Sequence, residues 1–168
     1  EPEAHEVQEL PEPVSGRVDF NRIRFSYGND RDVLHDLDLH IKPGEFVGIV
    51  GTTGAGKSSL VSLLARFYDV KQGSIMIDGV DIRNLPGHLL HRIVGLVQQE
   101  PFLFSGSIVD NIRLFDESIS REEAIEACKF VGAHPMISRL KHGYDTILSE
   151  RGSGLSAGER QLISFARI

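Results

Sequence analysis

The residues that commit most clearly to a chemistry are Gly51-Thr52-Thr53-Gly54-Ala55-Gly56-Lys57-Ser58. They fit the pattern G-x-x-x-x-G-K-[ST], in which glycines let the backbone wind until several N–H groups converge on phosphate oxygens. A helix starting there adds the positive end of its dipole. Lys57 is then expected to reach the β- and γ-phosphates of a nucleotide, and the Ser58 hydroxyl to ligate Mg2+. The same glycines would also suit an ordinary turn, so their context matters. Phe46 to Val50 is a short continuous apolar run, predicted to be a strand buried on both faces. Beyond the loop, Leu60, Leu63, Leu64 and Phe67 recur at helical spacing. Strand, Gly-rich loop and helix is the order a phosphate site needs.

The loop alone does not choose among kinases, GTPases and transport ATPases. A guanine reader of the form Asn-Lys-x-Asp is missing, since none of the asparagines (Asn21, Asn29, Asn84, Asn111) is followed by Lys. The choice comes from a second Gly-rich element, Leu155-Ser156-Ala157-Gly158-Glu159. With Gly51–Ser58 before it and Gln99-Glu100 between, it closely resembles the Leu-Ser-Gly-Gly-Gln signature of ABC ATPases. Ala157 and Glu159 depart from that signature, while Ser156 and Gly158 keep it. The element is also a capping box on its own terms, with Ser156 facing the Glu159 amide and Glu159 reaching back.

The resemblance runs from Val18 onward. It makes VDFNRIRFSYGNDRDVLHDLDLHIKPGE the family's N-terminal strands and Tyr27 the aromatic that stacks on adenine, where a core tyrosine is the plainer reading. It extends the phosphate cradle through Ser59 and makes Gln99 the glutamine that contacts Mg2+ or the attacking water. Glu100 to Ile108 with Asn111-Ile112, Gly143 to Thr146, and Ser149-Glu150-Arg151-Gly152 are similar to the exporter branch in particular, although Gly is more usual than Ser149. What this implies is an α/β fold of the P-loop NTPase (ABC ATPase) type, with an antiparallel β subdomain at the N-terminus and a helical subdomain at about 107–150. It further implies ATP and Mg2+ as ligands and a head-to-tail pair of such domains, in which Ser156 and Gly158 meet the partner's nucleotide. The whole would sit on the cytoplasmic face of a membrane, joined to a transmembrane domain of the same protein and powering export.

The family pattern continues beyond the signature helix with a Walker B strand ending in Asp-Glu and a switch histidine. Residues 1–168 contain neither, so the general base is absent and this stretch alone is expected to be inactive as an ATPase. The histidines and the acidic runs are most simply solvated side chains. Two other readings stay open: an ATP-binding, weakly hydrolytic half of a heterodimeric transporter, suggested by Ala157 and Glu159, and a non-transport ABC ATPase. The latter would place a long coiled coil between phosphate loop and signature, and no sustained heptads appear there.

Several elements must position these residues. Residues 1–16 are Glu- and Pro-rich without apolar period and read as a solvated linker. Val18 to Phe25 and Val33 to Ile41 read as strands, and Ser74–Ile77 and Val80–Ile82 flank the hairpin signal Asp78-Gly79. A short helix around Gly87 to Arg92 leads into a further apolar strand, Ile93 to Val97. Ser120-Arg121-Glu122-Glu123 is a capping box opening a helix with Ala124, Ile125, Cys128 and Val131 inward. From Gln99 onward the pattern is helical. With 40% hydrophobic and 25% charged residues the balance is globular, and the net charge of -6 argues against a nucleic-acid surface, which needs clustered Lys and Arg. The single cysteine, Cys128, excludes an intrachain disulfide and reads as a buried hydrophobe. No apolar run approaches the roughly 20 residues that cross a bilayer.

Overall fold

The computed structural model describes residues 8–28, 31–149, 152 and 154–168. Glu150 and Arg151 of the Ser149–Gly152 motif, and residues 1–7 of the expected linker, therefore lie outside the described residues. The chain divides into two compact units, one up to Val94 and one from Gly95.

The first unit is built on an antiparallel sheet of β1 (Val18–Phe25), β2 (Leu34–Ile41), β3 (Gln72–Ile77) and β4 (Val80–Asp81), in the spatial order β2-β1-β3-β4. β1 pairs Phe20 with Leu39 on one side and with Ile75 on the other. Phe20 and Ile23 are three residues apart, which in a regular strand would send them to opposite faces. A register shift between them, with Arg22 at φ +45°, inserts the extra residue that turns both inward. Asp78 and Gly79 both take positive φ, 49° and 83°, which matches the twist of a tight β3–β4 hairpin. Against this sheet pack α1 (Lys57–Leu64) and α2 (Gly87–Ile93), and a short 3₁₀ helix spans Ile82–Asn84. Leu60 and Leu63 of α1 join Phe20, Ile23, Ile75 and Leu90 in one core. Each such side chain taken out of water contributes about 1.5–3 kcal/mol, which is what holds an eight-residue helix in place.

Residues 8–17 are exposed apart from the partly buried Leu10, yet they are fastened. The Gln8 amide donates to the Asn84 carbonyl at 3.0 Å. The Asp78 carboxylate accepts the backbone N–H groups of Ser15 (2.6 Å), Gly16 (3.2 Å) and Arg17 (2.9 Å), and the Ser15 hydroxyl as well.

The second unit packs α3 (Ile108–Arg113), α4 (Arg121–Phe130), α5 (His134–Ile137) and α6 (Ala157–Ala166) with a two-residue ladder of β5 (Gly106–Ser107) and β6 (Ile147–Leu148). Its core holds Leu103, Ile108, Ala124, Cys128, Ile137 and Ile163. The Ser120–Glu123 capping box forms as predicted, and Ile125 and Val131 are partly buried beside Ala124 and Cys128.

Two strand predictions fail. Phe46 to Val50 forms no strand, and Phe46 and Val50 are 102% and 92% exposed. Ile93 instead closes α2, and Val94 to Val97 continue without a ladder. A strand exists through its neighbours' hydrogen bonds, and among the described residues no strand pairs with either run. The segment after Gln99 is also irregular through Ser105 before α3 begins. No helix is long and apolar enough to cross a membrane among the described residues.

Candidate functional site

The phosphate-loop candidates lie in the first unit. Ala55 N–H closes a turn on the Thr52 carbonyl at 3.2 Å, and Gly54 and Gly56 both sit at φ +84°. Gly56 is the residue before α1, and glycine is required there twice over. The left-handed backbone disfavours any side chain, and an added Cβ would come 2.7 Å from Leu34 Cδ2 and 3.2 Å from Val33 Cγ1. This close approach seats the start of α1 against β2. Leu60 N–H is bonded to the Gly56 carbonyl at 3.0 Å, so the amides of Lys57, Ser58 and Ser59 precede the helix's own ladder.

No side chain caps α1 and no acid stands in its first turn. In contrast, α4 and α6 both carry a complete capping box. The N-terminus of α1 therefore keeps its donors and its dipole uncompensated by the chain, the condition an anion site needs. Lys57 Nζ donates to the carbonyls of Gly51 and Thr52, each at 2.7 Å, so the loop curls around the ammonium. An ammonium has three donors, and two are used here. The Ser58 side chain is exposed.

Tyr27 comes close to the same helix. Its hydroxyl lies 2.9 Å from the Oγ of buried Ser59. The ring meets Phe25 edge-on at 4.9 Å and Tyr68 edge-on at 5.1 Å, while 39% of the residue stays exposed. The two edge-to-face contacts fix the ring, and part of its surface remains open to solvent. Lys71 Nζ donates to the Gly28 carbonyl at 2.7 Å and ties down the turn beside Tyr27. Tyr68 and Lys71 were not singled out in the sequence. Only the tertiary return of the chain after α1 brings them to Tyr27.

Gln99, Ser156 and Gly158 belong to the second unit. An open cleft there has Gln99 to Phe102 on one wall and Ala157, Arg160 and Gln161 of α6 on the other. Ser156 Oγ accepts the Glu159 N–H at 3.3 Å, and Ser156 N–H donates to Glu159 Oε2 at 2.7 Å. The Ser156 backbone N–H first, and then the Ser156 hydroxyl, hold the Glu159 carboxyl below its ordinary range. The Ser156 hydroxyl oxygen accepts the Glu159 N–H, and its own proton is turned to the Glu159 carboxylate, so serine and glutamate are tied to each other in both directions. A Cβ at Gly158 would meet nothing within 4 Å, so the chain's own packing does not call for glycine there. Glycine inside a helix costs about 0.8–1.0 kcal/mol relative to alanine.

Residues 34–168 match the profile of the ABC transporter family. The chain belongs to the ABC transporter family. This ABC domain is 46% identical over 159 residues to the alpha-hemolysin translocation ATP-binding protein HlyB of Escherichia coli O157:H7, covering 94% of this chain and 22% of the relative. It is 43% identical over 169 residues to a probable multidrug resistance ABC transporter ATP-binding/permease protein, YheH, of Bacillus subtilis strain 168, covering 98% and 25%. A bacterial Atm1-family ABC exporter solved with ATP bound superposes with a TM-score of 0.89 at 38% identity, over 98% of this chain and 28% of that one. The chain thus has the ABC ATPase fold and is an ATP-binding domain of the exporter kind. It spans about a quarter of the length of these relatives.

Proposed function

We propose that the intact protein exports a substrate across a membrane by hydrolysing ATP, with this domain paired head-to-tail with a second ABC ATPase domain. In this reading the domain lies on the cytoplasmic face, joined to a transmembrane domain of the same chain, and nucleic acid plays no part. The observation that carries it is the pairing of two unlike helix starts in one chain. One, at α1, is uncapped and preceded by a glycine loop curled around Lys57. The other, at α6, is capped by its own serine and keeps a glycine that its own chain does not require.

Each residue then has a defined task. The amides from Gly51 through Ser59 cradle the phosphates, with Thr52, Thr53 and Ala55 supplying the turn and Lys57 placing its charge at the β- and γ-phosphates. Tyr27 offers a ring face to adenine. Ser58 and Gln99 are neutral oxygen donors, and no cluster of three or more His, Cys, Asp or Glu among the described residues could hold a metal by itself. Neutral oxygen donors of this kind suit Mg2+ that takes its remaining ligands from phosphate and water, and the ion would neutralise charge on the transferred phosphoryl group. Ser156 turns its hydroxyl from the Glu159 carboxylate to the γ-phosphate on the partner's loop, and the missing Cβ of Gly158 leaves room for it.

A regulatory, weakly hydrolytic half of a heterodimer is the second reading, favoured by one contact. The Glu159 carboxylate sits on the Ser156 amide, where its charge opposes an incoming phosphate. Both readings are tested in the full-length protein by Lys57→Ala and Ser156→Arg. Lys57→Ala is expected to remove most of the MgATP affinity in its own subunit. Ser156→Arg is expected to spare that binding and abolish turnover. Loss of binding in the subunit carrying Ser156→Arg would sink the head-to-tail arrangement.

A further inference from the structure

Arg167, at the C-terminal end of α6, is used by no step above and has an unusual set of partners. Its Nε donates to the Asn111 carbonyl at 2.8 Å, Nη1 to the Phe102 carbonyl at 2.7 Å, and Nη2 to Asn111 Oδ1 at 3.0 Å. The guanidinium also stands 5.9 Å from the centroid of the Phe104 ring. No carboxylate pairs with it among the described residues, and burial alone pushes its pKa down. Withdrawing a cation from water without a counterion is costly, so a guanidinium kept on neutral acceptors has a geometric task to perform.

The acceptors identify the task. Asn111, fully buried, takes the Phe104 amide at 2.8 Å on its Oδ1 and gives its Nδ2 protons to the carbonyls of Phe104 (2.9 Å) and Ser107 (3.0 Å). The segment Phe104–Ser107 is therefore gathered onto one side chain, and Arg167 binds that side chain and, through the Phe102 carbonyl, the residues just before the segment. Phe102 is three residues beyond Gln99 in the same cleft wall. The neighbouring Ile168 packs closely on Gly95, four residues before Gln99, where an added Cβ would collide with Ile168 Cγ2. One end of α6 thus carries the Ser156 cap, and the other end is pinned on both sides of Gln99.

We propose that Arg167 is a positioning residue for ATP hydrolysis, fastening the signature helix to the Gln99 segment so that the two walls of the cleft move as one body. A fork of donors does this where a lysine would not, because only a planar guanidinium satisfies three acceptors in fixed directions. The inference rests on the proposed roles of Gln99 and Ser156.

The test uses the full-length transporter with Arg167→Lys and Arg167→Met, and spin labels at Glu100→Cys and Gln161→Cys on opposite walls of the cleft. The KM for MgATP is expected to stay within about twofold while kcat falls roughly tenfold or more, because misplacement of about 1 Å at a reacting centre has effects of that size. The distance distribution between the labels is expected to broaden. A merely structural role would lower the melting temperature and leave kcat per folded molecule, and the label distances, unchanged. Unchanged kcat in Arg167→Lys, or a fall in kcat with unaltered distances, overturns the proposal. Should Arg167→Met not fold, Arg167→Lys decides. Gln99→Ala and Ser156→Arg run alongside: if they turn over normally, the site assignment fails. If they are dead while Arg167→Lys is not, only the positioning role fails.

Discussion

Tyr27 offers a prediction in which two energies separate cleanly. Replacing it by alanine removes a ring face, and base–aromatic stacking contributes about 1–3 kcal/mol, or roughly 5- to 150-fold in Kd. Replacing it by phenylalanine keeps the face and removes only the hydroxyl, which lies 2.9 Å from Ser59 Oγ. A neutral hydrogen bond of this kind is worth about 0.5–1.5 kcal/mol net, so Tyr27→Phe is expected to cost at most roughly 12-fold, and less if the loss stays in stability. Ser59 is buried, so Ser59→Ala should produce the same loss as Tyr27→Phe, and the double variant should add little to either. Tyr27→Ala also loses edge-on contacts with Phe25 and Tyr68, about 0.5–1.5 kcal/mol each, which belong to folding and appear in the melting temperature. Titration with a fluorescent ATP analogue, with melting curves measured in parallel, tells the contributions apart. Equal Kd values for Tyr27→Ala and Tyr27→Phe would show that no ring stacks on the base.

The other expectations are simpler. Lys57→Ala should weaken MgATP binding roughly 10- to 150-fold, the scale of a charged hydrogen bond, with the circular dichroism spectrum unchanged. Gly56→Ala should lower stability by about 1–2 kcal/mol for its left-handed backbone alone, and the displaced start of α1 should weaken binding further. For Asp78, burial pushes the carboxyl up, but hydrogen bonds from Ser15, Arg17 and Gly16 outweigh it and hold the group below its ordinary range. Its contribution is therefore complete above the unfolded value of about 3.9 and lost as pH falls through the lower folded value. Proteolysis of residues 8–16 should accelerate on that acidification in the native protein and already be fast at pH 7 in Asp78→Ala. Glu159→Gln keeps a capping box while removing its charge, so α6 should stay helical and ATP-driven association of the full-length protein should strengthen. Weaker association would mean the carboxylate aids the shared site.

What was legible in the sequence was local or periodic. The helix start after Gly56, the Asp78-Gly79 hairpin and the capping boxes at Ser120 and Ser156 depend on residues within a few positions of one another, and these local features form as expected. The apolar run at Phe46–Val50 misled because its composition describes a strand's environment and not its partners. The bond from Tyr27 to Ser59 spans 32 residues and that from Arg167 to Asn111 spans 56. No spacing rule reaches that far, so the hydroxyl's role and the arginine pin emerged only from tertiary geometry.

The bare start of α1 has a thermodynamic corollary. Two helices of this chain complete their first turn with their own serines and glutamates, and α1 leaves that job undone. An anion bound there acts as the absent cap, so occupancy and local folding become linked equilibria. Saturation at a hundred times Kd adds about 2.7 kcal/mol to the stability of whatever unfolds with the site. Hydrogen-exchange protection along Lys57–Leu64 should therefore titrate with ligand concentration. The helix is a gauge of nucleotide as well as its seat.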